Sequence, residues 1–256
     1  MTNYQLPQGM RYSTLEERRL FYEDEFDISS VKKWFGTQLK NVVFAVIIGR
    51  HTGIFPPEYA EDESTTILID EYSDLTDVKR QIIMFTPESV YYDRNVYDEN
   101  GKVQGQELAF DIDPENLTCP VHGTLEDKMK RRQGLSFCET EFKMAKEEAA
   151  RLYGNLFSIF SKMRLVYSGR GFHIHVLDSE AYDWNYQKRY RMAKKLKKDG
   201  FRIDEWVTSG TMRLIRLPFS LHGMVSRIAV PIKVKELEDF DPVHDEKCLP
   251  RFLYPH

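Results

Sequence analysis

The sequence predicts an α/β chain of the α+β kind, with a mostly antiparallel central sheet flanked by helices. Three observations predict it. Short apolar runs of strand length are interspersed with amphipathic stretches of helical period. Glycine-centred turns, Asn100-Gly101 and Gly169-Arg170-Gly171, join neighbouring strand-like runs. No repeat and no Gly/Ser or Pro linker divides the chain.

Each element has a local reason. Ser13-Thr14-Leu15-Glu16 reads as a capping box opening a short helix through Phe21. Residues 42–48 form a continuous apolar run, read as a buried strand, and 66–69 a second strand beyond a Pro- and acid-rich loop. Residues 73–84 carry the apolar spacing of an amphipathic helix. Residues 90–96 and 107–113 look like strands joined across Asn100-Gly101. The polar stretch 118–137 has no sustained period and reads as a surface excursion. In 142–163, Phe142, Ala145, Ala149, Leu152, Leu156, Ile159 and Met163 step by threes and fours along one helical face. Strands at 165–168 and 172–177 flank Gly169-Arg170-Gly171. A basic helix over 182–199 stops at Gly200.

Composition narrows the function classes. At 256 residues, 41% hydrophobic and 30% charged, the chain is expected to be one globular unit over 1–256, not a disordered or fibrous one. With 36 basic against 40 acidic side chains the formal charge is −4, so a nucleic-acid contact must come from a local patch. The longest apolar run, 42–49, is too short to span a bilayer, so no membrane partner is expected. Three cysteines and an N-terminus without a signal layout make a reducing cytoplasm the expected location.

Three stretches carry candidate chemistry. In Leu108-Ala109-Phe110-Asp111-Ile112-Asp113, strand alternation puts Asp111 and Asp113 on one face. Two such carboxylates repel unless a cation or a proton lies between them, so they are either a divalent-metal pair or two solvated acids at a strand end. In Ser168-Gly169-Arg170-Gly171-Phe172-His173, backbone N–H groups, a hydroxyl, a guanidinium and an imidazole can cradle an anion; the alternative is an ordinary hairpin with a surface Arg. His175, one strand repeat on, reads as structural or solvated. In the third stretch Arg216 and His222 flank a Pro-containing turn, with Asp204 and Glu205 upstream; alone it would be a surface ion pair. Arg50 and His51, in the first loop, read as surface residues that a phosphate could reach.

Taken in order, Phe-Asp-Ile-Asp, Ser-Gly-Arg-Gly-x-His and Arg-Leu-Pro-x-Ser-Leu-His resemble the archaeo-eukaryotic primase superfamily, and most of all the catalytic small subunit of DNA primases. Agreement runs from about Glu107 onward and includes Arg227 to Ile232 and Phe240-Asp241-Pro242. The resemblance implies a primase catalytic core: a DNA-template-directed nucleotidyltransferase making primers on single-stranded DNA with two Mg²⁺ or Mn²⁺ ions. A repair or end-joining polymerase that only extends primers is the first alternative, and an inactive nucleic-acid-binding module the second.

By the same resemblance Asp111, Asp113 and Asp204 are the catalytic, metal-holding acids, with Glu205 in reserve. Some relatives place an acid nearer Gly210, which cannot serve. Ser168, Arg170, His173, Arg216 and His222 would contact the incoming NTP or dNTP. Cys119, His122 and Cys138 fall where the family carries a zinc site, within a knuckle-like insert over 114–141. Glu141 stands near the place of a fourth ligand; a Cys119–Cys138 disulfide or a metal-free knuckle are the rival readings. Cys248 reads as a buried thiol. The family's helical insertion between the second motif and the third acid is reduced here to the stretch from His173 to Asp204, which puts docking of a primase large subunit in doubt. Lys188, Arg189, Arg191, Lys194, Lys195, Lys197, Lys198 and Arg202, with Tyr186 and Tyr190, form the densest basic stretch. Of these Lys188, Arg191 and Lys195, together with Arg131 and Arg132, are the candidates to grip template or primer, at a nucleoid-associated site; for most of the lysines the alternative is a solvated helix face whose stems cover apolar neighbours.

Overall fold

The computed structural model describes residues 4–36 and 42–254; the first three residues, which belong to the expected signal-free N-terminus, lie outside the described residues. The chain begins with α1 (Leu15–Leu20), a single π turn (Phe21–Glu25) and α2 (Ile28–Phe35), then β1 (Phe44–Ile47), β2 (Thr66–Ile69), α3 (Leu75–Phe85) and β3 (Ser89–Asp93). It continues through β4 (Asn95–Tyr97), β5 (Val103–Gln106), β6 (Leu108–Ile112), α4 (Leu125–Lys130), α5 (Glu139–Leu156), β7 (Met163–Tyr167) and β8 (Phe172–Val176). After α6 (Ser179–Tyr182), α7 (Tyr186–Lys198) and α8 (Glu205–Ser209) come β9 (Leu214–Arg216), β10 (Leu221–His222), β11 (Arg227–Ile228) and β12 (Val230–Ile232).

Two four-stranded sheets, β2-β1-β3-β9 and β12-β7-β8-β6, are antiparallel throughout. The alternation along β6 decides what lies between them. Leu108, Phe110 and Ile112 point into a core shared with Ala145, Ala149, Leu152 and Leu156 of α5 and with Ala193 and Leu196 of α7. Ala109, on the opposite face, packs into the second core with Tyr92 and Ile215 of the other sheet. Asp111 shares Ala109's face and therefore turns toward that other sheet. Each fully buried Leu of α5 contributes roughly 1.5–3 kcal/mol.

Several boundaries differ from the sequence expectation, each for a local reason. Thr14, not Ser13, caps α1, with Glu17 closing the box. The strands expected on either side of Asn100-Gly101 are each split. β4 and β5 form that hairpin alone, while β3 and β6 join different sheets. The break lies at buried Arg94, whose amide donates to Arg213 O and whose carbonyl accepts from Glu107 N. Helix α5 stops at Leu156, short of Met163. Asp178 there draws Ser161 N and Lys162 N out of the helical ladder and launches β7. Asn185, whose side chain accepts from Lys188 N, starts α7 four residues after Tyr182. Helix α4 rises within the polar excursion on its own Thr124–Asp127 capping box.

The basic stretch also needs correction. Arg189 is buried, and its guanidinium donates to the carbonyls of Trp184, Glu107, Gln106 and Ala181, which removes it from any phosphate-facing surface. Arg189→Ala is expected to cost about 3 kcal/mol in urea unfolding, because those buried carbonyls lose their donor. Exposed Lys195, on the same helix, is the control: Lys195→Ala should change stability by less than about 0.5 kcal/mol.

Candidate active site

The β6–β8 register sets the site. Asp111 lies directly across from His173, and His173 Nε2 approaches Asp111 Oδ1 to 3.4 Å. Asp113 follows the end of β6, beside the glycine turn. A Cβ on Gly171 would stand 2.5 Å from Asp113 Oδ1, and one on Gly169 (φ +105°) 2.5 Å from His222 Cβ, so both glycines are required by close approach. The turn is closed by Ser168 N donating to Gly171 O and Gly171 N donating to Ser168 Oγ.

Asp204 arrives from a distant stretch. Its amide donates to Asp111 O at 2.9 Å, and its carboxylate caps α8 by accepting from Trp206 N at 2.7 Å. Glu205, the reserve acid, turns away to Lys194 and Lys197. Gly210 holds the left-handed φ of +88° that ends α8. Arg216 stacks on the Tyr91 ring, 4.9 Å from its centroid, and donates to Ser89 Oγ and Tyr91 OH.

These side chains line one cavity of about 290 Å³ between the sheets: Asp111, Asp113 and Asp204 with Ser168, Arg170 and His173, and Arg216 with His222. Glu115 joins them as a fourth carboxylate and pairs with Arg170. Sequence reasoning passed over Glu115; its signal was its place just past the Asp-x-Asp strand. The expected site residues of this group are all brought together.

The electrostatics are extreme. Burial, then the charges of Asp204 and Glu115, push the Asp111 carboxyl up to about 8, against the opposing pull of Arg170 and Arg216. Burial and Asp111 drive Asp113 well above the ordinary carboxylate range. Burial lowers His173 to about 4, and burial with Arg216 and Arg170 holds His222 well below its usual value, so both imidazoles are neutral near pH 7.

Buried polar atoms without a partner reveal an unmet demand. Seven buried polar side-chain atoms without a hydrogen bond occur among the described residues, and five belong to this cavity: Asp111 Oδ1, which His173 Nε2 faces at 3.4 Å without hydrogen-bonding, Arg170 Nε, His173 Nδ1, Arg216 Nη1 and His222 Nδ1. Native interiors leave few such atoms, which marks a place built to receive a ligand. A crowd of half-buried carboxylates also fits a hard divalent cation, which would relieve their mutual repulsion. His175 lies outside the cavity lining and reads as structural: its Nδ1 lies 2.5 Å from Glu107 Oε1, and Tyr92 OH donates to Glu107 Oε2, while its Nε2 is one of the remaining two unpartnered atoms.

A second cluster gathers Cys119, His122, Cys138 and Glu141, with all ligand atoms within 4.8 Å of one another. Cys119 Sγ is 3.5 Å from His122 Nδ1 and 3.9 Å from Cys138 Sγ, and His122 Nδ1 is 3.5 Å from Glu141 Oε2. Ligands around a tetrahedral metal such as zinc stand roughly 3.3–3.8 Å apart, close to the three separations above, so the cluster is a candidate metal site. The rival disulfide is absent; both cysteines are free thiols, as is buried Cys248. Glu141 also binds the buried Lys128 ammonium at 2.7 Å. Among the proposed DNA contacts, Lys188, Arg191 and Lys195 are exposed along α7, where Tyr186 and Tyr190 stack with centroids 5.7 Å apart. Arg131 and Arg132 are exposed beside the cluster, Arg131 donating to His122 O. The structure leaves both groups outside the cavity lining.

Comparison with known proteins agrees with this frame. An Archaeoglobus fulgidus protein described as an uncharacterized DNA primase small subunit-like protein is 49% identical over 267 residues, covering 98% of this chain and 94% of its own. The DNA primase small subunit PriS of Pyrobaculum calidifontis is 28% identical over 217 residues, covering 65% and 67%, and PriS of Pyrococcus furiosus is 28% identical over 197, covering 72% and 48%. No protein-family model matches the chain. The chain belongs to the family of DNA primase small subunits and their primase-like relatives. Its fold is similar to the polymerase domain of Mycobacterium tuberculosis ligase D, solved in complex with DNA, at a TM-score of 0.54 and 14% identity over 93% of this chain and 90% of that one. No helix among the described residues is long and apolar enough to cross a membrane.

The raised carboxyls give a signed pH effect. A group whose folded pKa lies above its unfolded value stabilises fully below the unfolded value, and that contribution is lost as pH rises through the folded one. For Asp111 the window runs from about 4 to about 8. In chelator, Asp111→Asn should therefore melt above wild type at pH 8, with the gap closing toward pH 5. A gap independent of pH would contradict the burial of that carboxyl.

Proposed function

We propose that the chain is a template-directed nucleotidyltransferase of the primase class, which joins nucleoside triphosphates into primers on single-stranded DNA. The observation that carries this reading is the set of five unpartnered buried atoms around one carboxylate-rich cavity. Arg170 and Arg216 offer guanidinium forks to a triphosphate, and the neutral His173 and His222 each retain a ring N–H to donate to phosphate oxygen. Asp111, Asp113 and Asp204 would hold two Mg²⁺ or Mn²⁺ ions. Such ions, when bound, make the 3′-hydroxyl a better nucleophile and neutralise the departing pyrophosphate. Glu115, displaced from Arg170 by an incoming phosphate, would be free to turn toward the carboxylate side.

The whole of 1–256 is read as one catalytic unit, with 114–141 as a zinc-bearing insert. Single-stranded template would follow the exposed basic face of α7 through Lys188, Arg191 and Lys195, and Arg131 and Arg132 would hold template or primer near the insert. A primase large subunit and other replication proteins are proposed partners, at the nucleoid. The second reading, a polymerase that extends but does not initiate, is favoured by the fold match to a polymerase domain of almost the same extent.

Unprimed single-stranded DNA with labelled nucleotides and Mg²⁺ or Mn²⁺ separates the two. Dinucleotides and longer products are expected; extension of supplied primers alone would establish the second reading. Asp111→Ala combined with Asp113→Ala should lower incorporation at least about a thousandfold while the protein stays folded. Undiminished synthesis would mean that the metal centre lies elsewhere. For the insert, elemental analysis of chelator-washed protein should find about one zinc per chain, lost in Cys119→Ser. A metal-free wild type would reject the site.

A further inference from the structure

The first loop is not a loose surface turn. Residues 49–53, Gly-Arg-His-Thr-Gly, close on a Gly53 N to Gly49 O hydrogen bond of 2.8 Å. A Cβ on Gly49 would meet Phe55 at 2.8 Å, and Gly53 takes a φ of +64°. Beneath the turn lies Arg18, fully buried, whose guanidinium donates to Ile48 O, Ile54 O and Thr52 Oγ1. The buried Glu88 carboxylate completes the frame. Its Oε2 accepts from His51 N, Thr52 N and Thr52 Oγ1, and its Oε1 lies 2.6 Å from His51 Nδ1.

This bracket reaches the active cavity. Glu88 N donates to Ile48 O, and Glu88 O accepts from Gly223 N, the residue after His222. One residue thus fixes His51 relative to His222. His51 is about a quarter exposed and lines the same cavity as Asp111, Arg170, Arg216 and His222. A carboxylate that already accepts three donors is an acceptor at its fourth contact too, so Nδ1 carries a proton and donates to Glu88. Nε2 has no partner among the described residues. Arg50 is otherwise engaged, on Ser64 O and Thr66 Oγ1.

We propose that His51, oriented by Glu88, binds the terminal phosphate of the incoming nucleoside triphosphate through Nε2 and makes the site selective for the triphosphate over shorter tails. Glu88 is the positioning residue. The proposal rests on the polymerase reading above and extends it to a residue outside the three sequence motifs. Its chemical logic is charge: a triphosphate carries more negative charge than two guanidinium groups offset, and His51, with Nδ1–H given to Glu88, offers an N–H at Nε2 as well when the ring takes up a second proton together with the phosphate. The site lies in the carboxylate-lined cavity, away from the exposed α7 face, which favours the nucleotide tail over a DNA backbone phosphate.

Calorimetric binding of a nucleoside tri-, di- and monophosphate, in Ca²⁺ to prevent turnover, tests this on wild type, His51→Ala and Glu88→Gln. His51→Ala should weaken the triphosphate about tenfold to a hundredfold and the monophosphate less than about twofold. Glu88→Gln should reproduce part of that selective loss and, in primer extension, raise KM with little change in kcat. Equal losses for all three nucleotides, or none, overturn the assignment, as does a loss confined to DNA binding. Wild-type protein that binds no triphosphate would instead defeat the polymerase reading, and this inference with it.

Discussion

The structure depends on one arrangement: Asp111 held opposite His173 across β6 and β8, with both side chains turned into the gap between the sheets. That single pairing brings a carboxylate and a phosphate-binding motif, more than fifty residues apart in sequence, to one place. A slip of one residue would send Asp111 into the apolar core and turn Phe110 and Ile112 out to the cavity. Register is secured by the core on the other face, where Leu108, Phe110 and Ile112 meet α5 and α7. Packing therefore fixes the chemistry.

Holding so many charges in one interior gap is costly, and the protein answers with buried arginines. Arg170 and Arg216 face the carboxylates directly. Arg18, Arg94 and Arg189 work behind them, each directing its guanidinium to backbone carbonyls where strands cross between sheets or a turn must be braced. Glu107, His175 and Tyr92 form a further buried network at the back of the cavity. The residual demand, concentrated in atoms without partners, is what a metal-bound nucleotide would satisfy.

Much of this was legible in the sequence, because the relevant signals are local. Alternation along residues 108–113 put the two aspartates on one face, and the glycines of the second motif announced a close turn. What escaped was long-range. The resemblance named Asp204 over Glu205, but the physical reason is long-range: the Asp204 amide is hydrogen-bonded to Asp111 O, while Glu205 turns to Lys194 and Lys197. Arg189 looked like one cation among many on a basic helix, yet its position on α7 faces inward. The Asn100-Gly101 hairpin was visible, but not that its strands part into different sheets at Arg94. His51 looked like a surface residue because its partner, Glu88, lies a whole sheet strand and a helix away.

The most direct measurement of the central claim is anomalous scattering from crystals soaked in Mn²⁺ and a non-hydrolysable nucleoside triphosphate. The account predicts manganese peaks among Asp111, Asp113 and Asp204, with the phosphates against Arg170, Arg216 and the Ser168–His173 turn. Manganese absent from those carboxylates, or a triphosphate bound elsewhere on the protein, would contradict it.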